Sequence, residues 1–163
     1  MLDLLPELCD EYLDELTVFP PIFRQFGGQS VFYGPVMTLR CPEDNSLVRR
    51  WVSQPGEGRV LLVDGGGGDR RALLGDNLAK LAMDNGWSGI VVYGYVRDAA
   101  TLATLPLGIQ ALGAMPVKTD KRGLGEEGVE VEIQGRVIKP GQYLYADDNG
   151  VVVADRALPL PLA

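Results

Sequence analysis

The spacing of apolar positions along this chain changes from helical to strand-like several times. Leu8, Tyr12 and Leu16 recur at spacing four, which predicts a first helix over Glu7–Leu16, with Pro6 suited to its opening turn. Pro20-Pro21 and Gly27-Gly28 break that pattern. Ser30 to Cys41 reads as a strand interrupted at Gly34-Pro35, where a hairpin or sheet edge is expected. Asp44-Asn45 is placed to cap a short helix carrying Leu47, Val48 and Trp51, which stops near Pro55-Gly56.

The centre of the chain holds a different arrangement. The apolar run Arg59–Val63 leads into Asp64 and four consecutive glycines, Gly65 to Gly68. Leu74, Leu78, Leu81 and Ala82 then share one face of a helix that ends near Asn85-Gly86. Ile90 to Val96 is almost wholly apolar, as a strand buried on both faces would be, and runs straight into Arg97-Asp98. A short helix over Asp98–Leu105 ends at Pro106, and Ile109–Val117 is a further apolar strand. This is a βαβ pattern with its polar residues at the loop ends, where open α/β sheets bind ligands.

Lys118 to Gly128 is polar and glycine-rich and reads as a surface loop. Beyond it the period becomes two. Val129–Ile133 alternates, turns at Gln134-Gly135 and returns through Arg136–Ile138. Gln142–Ala146 and Val151–Ala154 flank Asp147-Asp148-Asn149-Gly150, a strong hairpin-turn signal, and the Pro- and Leu-rich tail predicts no element. Crossovers in the middle and antiparallel strands at both ends predict one mixed α/β domain over residues 1–163, distinct from a doubly wound Rossmann fold.

Composition narrows the chemistry. With 163 residues and 46% hydrophobic content the chain can bury a substantial core. No apolar run approaches the roughly 18 residues of a membrane span, and the acidic start lacks the basic residues of a signal peptide, so a cytoplasmic protein is expected. The net charge of −7, without a basic stripe, disfavours direct nucleic-acid binding and would suit docking on a basic protein surface. Cys9 and Cys41 lack any paired spacing and are expected to be buried and reduced. The chain contains no histidine. That removes imidazole bases, Ser-His-Asp and Cys-His nucleophiles and His-ligated zinc, and leaves carboxylates, carbonyls and water to hold a hard cation such as Mg²⁺ or Mn²⁺.

Three places in the central unit could carry chemistry, and each also has a purely structural reading. The glycines Gly65–Gly68 lack the Gly-Lys-Ser/Thr of a phosphate loop and the spacing of a dinucleotide fingerprint, leaving a tight turn or a ligand wall. Asp76 is a good N-cap for a helix beginning at Asn77, while the free N–H groups of Asn77 and Leu78 could receive a small carboxylate. Arg97 at the carboxyl end of a strand could clamp a carboxylate or carbonyl, and Asp98 could ligate a cation; a surface ion pair and a helix cap are the structural alternatives.

The residues Val63-Asp64-Gly65-Gly66-Gly67, Arg71-Ala72-Leu73, Gly75-Asp76 and Arg97-Asp98 resemble the family of the regulator of ribonuclease activity A. That family also contains the class II 4-hydroxy-4-methyl-2-oxoglutarate aldolases. The likeness extends over nearly the whole chain, through Glu7-Leu8-Cys9-Asp10, Phe26-Gly27-Gly28, Glu43-Asp44-Asn45, Gly108-Ile109-Gln110-Ala111 and Leu144-Tyr145-Ala146-Asp147. The aldolase branch is marked by an Asp, twenty intervening residues and Arg-Asp; Asp76, Arg97 and Asp98 complete that motif.

The resemblance implies a swivelling β/β/α domain of the phosphohistidine-domain type, with mixed sheets and flanking helices, assembled as a homotrimer with the site at a subunit boundary. It implies that Asp98 binds the divalent metal and that Arg97 holds the pyruvate-like end of a 2-keto acid. Gly75, Asp76, Asn77 and Leu78 would receive the carboxylate, and Asp76 would orient metal-bound water. Longer aldolases carry a C-terminal extension that supplies another acid to a neighbouring subunit; these 163 residues offer no obvious counterpart. The implied reaction cleaves 4-hydroxy-4-methyl-2-oxoglutarate to two pyruvates, with oxaloacetate decarboxylation at the same site. The lysines Lys80, Lys118, Lys121 and Lys139 lack apolar flanks suited to a Schiff base, which favours the metal route. The rival expectation is a non-catalytic inhibitor of an RNA-degrading endoribonuclease of the ribonuclease E type.

Overall fold

A computed structural model describes residues 2–161. The helices are α1 (Leu4–Tyr12), α2 (Ser46–Val52), α3 (Asp76–Asp84) and α4 (Ala99–Leu102), with a 3₁₀ turn over Leu13–Glu15. The strands in the first half are β1 (Leu16–Val18), β2 (Arg24–Gln25), β3 (Phe32–Arg40), β4 (Val60–Asp64), β5 (Ala72–Leu74) and β6 (Gly89–Val96). They continue as β7 (Gly108–Ala114), β8 (Glu126–Glu127), β9 (Val131–Ile133), β10 (Arg136–Ile138), β11 (Tyr143–Asp147) and β12 (Gly150–Ala154).

Strand β3 belongs to two sheets. Its first half, Phe32–Pro35, pairs antiparallel with β11, continuing to β12 and β1. Its second half, Val36–Arg40, pairs parallel with β4, then β6 and β7, with β2 antiparallel at the far edge. Gly34-Pro35 therefore does not interrupt the strand, as its sequence suggests; it marks the change of partner. Pro35 has no N–H to lose at this crossing. Gly34 admits the carbonyl of Gly58, which would lie 2.1 Å from a Cβ there.

Strand alternation distributes the apolar side chains among three cores. From β4, Val60 and Leu62 face a core shared with Phe32, Leu144, Val153 and the β9–β10 hairpin, between the two sheets. Leu61 and Val63 face the opposite way, onto α2, α3 and α4 through Val48, Val52, Leu78, Ala79 and Leu102. Leu4, Leu5 and Leu8 of α1 cover the outer face of the first sheet at Tyr145, Val152 and Ala154. The layers are thus helix, sheet, sheet, helices, in the α/β class expected.

Several boundaries differ from the sequence reading. The first helix is Leu4–Tyr12, so Leu16 begins β1 rather than ending a helix. Leu74 lies in β5, a strand the apolar periodicity conceals, because three residues are too few to show a period. The last helix spans only Ala99–Leu102, and the polar loop contains the short β8. Cys41 is buried, and desolvation, followed by Asp44 and Asp64, pushes its thiol up to about 12. Cys9 is only partly buried, which corrects the expectation of two buried thiols.

Phe32 lies between the two sheets on a shelf made by Gly89 and Gly108, paired neighbours on β6 and β7. A Cβ on Gly108 would fall 2.1 Å from the Phe32 ring, and one on Gly89 2.3 Å. Gly108→Ala is expected to destabilise the fold by about 1–3 kcal/mol through overpacking. Urea denaturation checks this; a variant as stable as the parent would show that the shelf yields freely.

Candidate active site

Parallel strands bring Arg97-Asp98 beside Gly75-Asp76. β5 pairs parallel with β6, setting Ala72 against Tyr95 and Leu74 against Val96, so both chains leave the sheet at the same edge. The Arg97 N–H donates to the Leu74 carbonyl at 2.9 Å. Asp98 then takes a left-handed conformation, φ 62°. Its Oδ2 accepts the N–H of Asp76 at 2.9 Å.

Gly75 makes this approach possible. A Cβ at Gly75 would sit 2.7 Å from Asp98 Oδ2 and 3.4 Å from Arg97 Nε. The helix α3 starts here, with Gly75 as its N-cap. Asp76 is the first helical residue and makes no capping bond, so the capping reading is corrected. Its carboxylate instead lies 3.4 Å from Lys80 Nζ. Asp76 is held below the ordinary carboxylate range, first by hydrogen bonding with Asp98 and then by Lys80 and the Asn77 N–H. The Ala79 N–H closes the first helical turn onto Gly75 O at 3.1 Å. The N–H groups of Asn77 and Leu78 precede that turn and have no intrahelical acceptor.

These residues line a cleft of about 90 Å³. All the residues singled out in this region are there: Gly75, Asp76, Asn77, Leu78, Arg97 and Asp98. The glycines Gly65–Gly68 are not among its lining residues. Gly66 and Gly67 take positive φ, and the N–H groups of Gly65 and Gly67 close onto the Tyr93 carbonyl, so this is a structural turn.

The opposite wall was not read from the sequence. Asn45 and Arg49 come from α2 and its entry, and Lys118, Thr119 and Lys121 from the polar loop. Lys118 and Lys121 are exposed on the cleft rim. With Arg97 and Arg49 they give the cleft four cations against the two carboxylates Asp76 and Asp98. A small anion with more than one negative charge matches that balance.

Asp98 offers a hard cation one carboxylate at the open rim, with Asp76 beside it. Among the described residues no group of three or more Asp, Glu, His or Cys side chains is placed to hold a metal ion by itself. This donor set fits an ion such as Mg²⁺, which keeps several waters and takes one or two carboxylates plus oxygens of its substrate.

Fold and site together define an α/β protein that presents a helix N-terminus, an arginine and a carboxylate to a small anionic ligand. Residues 5–153 match the RraA-like family, described as Aldolase/RraA, and the chain belongs to that family. A relative from Alkalilimnicola ehrlichii is 57% identical over 152 residues, covering 93% of this chain and 94% of its own. One from Shewanella oneidensis is 52% identical, covering 97% and 96%. Both bear the name "Putative 4-hydroxy-4-methyl-2-oxoglutarate aldolase".

Among solved structures, the Thermus thermophilis RNA-processing inhibitor RraA superposes with a TM-score of 0.91 at 44% identity, covering 94% of this chain and 93% of its own. A Geobacillus kaustophilus protein titled S-adenosylmethionine: 2-dimethylmenaquinone methyltransferase reaches 0.92, also at 44% identity, covering 94% and 96%. One fold thus carries three functional names, and the site must decide among them.

The polar loop is tied down by Asp44, which is fully buried. Burial alone would raise its carboxyl, but hydrogen bonds from Ser46, Arg122 and Leu124 outweigh that and hold it below its ordinary value. A group depressed in this way stabilises the fold above its unfolded pKa, and that stability is lost as pH falls through the folded value. The Arg122 and Leu124 amides are therefore expected to lose hydrogen-exchange protection only as pH falls through that lowered value, below the range in which an ordinary aspartate protonates. Protection that persists unchanged to lower pH would contradict this.

Proposed function

We infer that this protein is a lyase that cleaves 4-hydroxy-4-methyl-2-oxoglutarate to two pyruvates and uses a divalent metal, with oxaloacetate decarboxylation as a second reaction. The observation that carries the reading is the convergence of Arg97, Asp98 and the start of α3 at Asn77 and Leu78 on one small cationic cleft. The names borne by close relatives support the same reaction.

Both reactions leave the enolate of pyruvate, so stabilising that one charge serves both. The substrate carboxylate would rest on the Asn77 and Leu78 N–H groups, where the start of a helix favours negative charge. Arg97, half-buried, would donate to the C2 oxygen as charge develops there. Asp98 would hold a Mg²⁺ or Mn²⁺ ion, whose contribution when bound is Lewis-acid polarisation of the 2-oxo acid end. Asp76, kept ionised by its neighbours, would orient the water that accepts the proton of the C4 hydroxyl as the C3–C4 bond breaks and its electron pair moves onto the enolate. The same proton can return to C3 to complete the second pyruvate.

A Schiff-base route has little support. Lys118 and Lys121 line the cleft but stand exposed on its rim, outside the apolar pocket that desolvates a Schiff-base lysine. The likeness to the Thermus RNA-processing inhibitor supports a second reading, in which the acidic surface binds an endoribonuclease. That reading requires neither Arg97 nor Asp98.

Pyruvate release from either substrate should require added Mg²⁺ or Mn²⁺ and stop with chelator, measured against protein-free controls because metals slowly decarboxylate oxaloacetate unaided. Arg97→Ala should lower kcat by about 10²–10³, the scale for losing a donor to a developing oxyanion. Asp98→Ala should abolish metal-dependent turnover. Full activity in Asp98→Ala would sink the mechanism, and binding of a ribonuclease E type enzyme by turnover-dead Asp98→Ala protein would favour the second reading.

A further inference from the structure

A second cavity adjoins the cleft, and the two share Arg97 and Asp98. Its volume is about 270 Å³, and its other lining residues are Ala114, Met115 and Pro116. The first cleft is rich in charged side chains, whereas these three bring only hydrocarbon and a thioether to the second. Arg97 and Asp98 thus form the boundary between a charged compartment and an apolar one. The enolate chemistry needs that pair and leaves the apolar side unused.

The sheet fixes the apolar segment in this place. β7 runs parallel to β6 and sets Ala114 against Val96, the residue before Arg97. The Met115 N–H extends the ladder by one bond, donating to the Val96 carbonyl at 2.9 Å. Met115 and Arg97 therefore leave the sheet side by side. The chain then passes to β5, where the Val117 carbonyl accepts the Ala72 N–H at 2.7 Å and Lys118 bridges Ala72. The Val117 N–H donates back to Met115 Sδ at 3.2 Å, which holds in place a side chain otherwise free to turn about three bonds. Met115 is half-buried, while Ala114 and Pro116 are exposed, so their apolar surface is open to a ligand that reaches past Arg97.

We propose that Ala114, Met115 and Pro116 receive the C4 methyl group of the substrate and so select 4-methyl over unmethylated 4-hydroxy-2-oxo acids. This rests on the lyase reading and deepens it. With C1 and C2 held by the α3 start, Arg97 and Asp98, the C3–C4 bond must lead away from that corner. C4 carries a hydroxyl, a carboxylate and a methyl, and only the methyl gains from an apolar surface; the other two would lose their hydration there. The methyl stays on C4 throughout. The C3–C4 bond breaks, its electron pair goes to the enolate, the hydroxyl proton goes to water, and C4 with its methyl leaves as the second pyruvate. A substrate without the methyl releases glyoxylate instead.

The test compares 4-hydroxy-4-methyl-2-oxoglutarate with 4-hydroxy-2-oxoglutarate, each with Mg²⁺, through the ratio of their kcat/KM values. The two differ in intrinsic reactivity, and setting each variant's ratio against the parent's cancels that difference. Met115→Gln keeps the side-chain length and an acceptor for the Val117 N–H but makes the surface polar. The ratio should fall about fivefold or more. Met115→Leu, which keeps the surface apolar, should hold it within about twofold of the parent. A constant ratio in Met115→Gln, whether both substrates are unaffected or both decline together, would overturn the proposal. An equal fall in Met115→Leu would overturn it too.

If Met115→Gln does not fold, Ala114→Ser changes an exposed position on the same surface. It should lower the ratio in the same sense by about threefold, and a constant ratio there would again overturn the proposal. Oxaloacetate, whose C4 is a carboxylate without a methyl, separates the two levels of the reading. Parent protein without metal-dependent turnover of oxaloacetate or of either hydroxy acid would defeat the lyase reading and this inference with it. A parent active on oxaloacetate whose variants keep the ratio would defeat only the place given to the methyl.

Discussion

Where β5 and β6 end side by side, the Arg97 N–H bonds the Leu74 carbonyl and the Asp76 N–H bonds the Asp98 carboxylate, each at 2.9 Å. The geometry of the candidate site depends on that pair of contacts and on the absence of a side chain at Gly75 that permits them. A methyl group there would collide with the Asp98 carboxylate. Asp98 must also adopt a left-handed conformation, sparsely populated for a residue with a Cβ, and its surroundings hold it there. Parallel pairing of β5 with β6 supplies the geometry, and the buried strands behind it supply the rigidity.

The electrostatics follow from what converges on this corner. A helix start, an arginine and a rim carboxylate meet three further cations from separate parts of the chain, although the protein as a whole carries −7. The local excess of positive charge suits a small multiply charged anion. On the lyase reading proposed above, such a site would serve any reaction that passes through a pyruvate enolate. The fold alone would not have said so, since close structural neighbours carry the names of an RNA-processing inhibitor and a methyltransferase.

Much of this was legible in the sequence, for identifiable physical reasons. Arg97-Asp98 stood out because a charged pair directly after an apolar strand has to lie at the sheet's edge. Asn77 and Leu78 were found because a helix start leaves N–H groups free whatever caps it. Asp76 was misread as a cap; Gly75 takes that place, since a cap preference is weak beside the tertiary bond from the Asp76 N–H to Asp98. Lys118, Thr119 and Lys121 were hidden in what looked like an ordinary polar loop. Lys118 is bridged to Ala72, Thr119 bonds Asn45 and the residues after Lys121 bond Asp44 and Ser46, and no local period records contacts over such separations. Gly34-Pro35 was read as a break because a strand that changes partner within its length looks, in one dimension, like one that ends.

The central claim is that one corner of this chain recognises the enolate of a 2-oxo acid together with a divalent cation. Oxalate, a planar dianion shaped like that enolate, tests it by calorimetry without any turnover. The account predicts that oxalate binds in the presence of Mg²⁺, fails to bind when the metal is chelated, and is lost in Arg97→Ala and in Asp98→Ala. Oxalate binding that ignores both the metal and these two residues, or no binding to the parent protein at all, would contradict it.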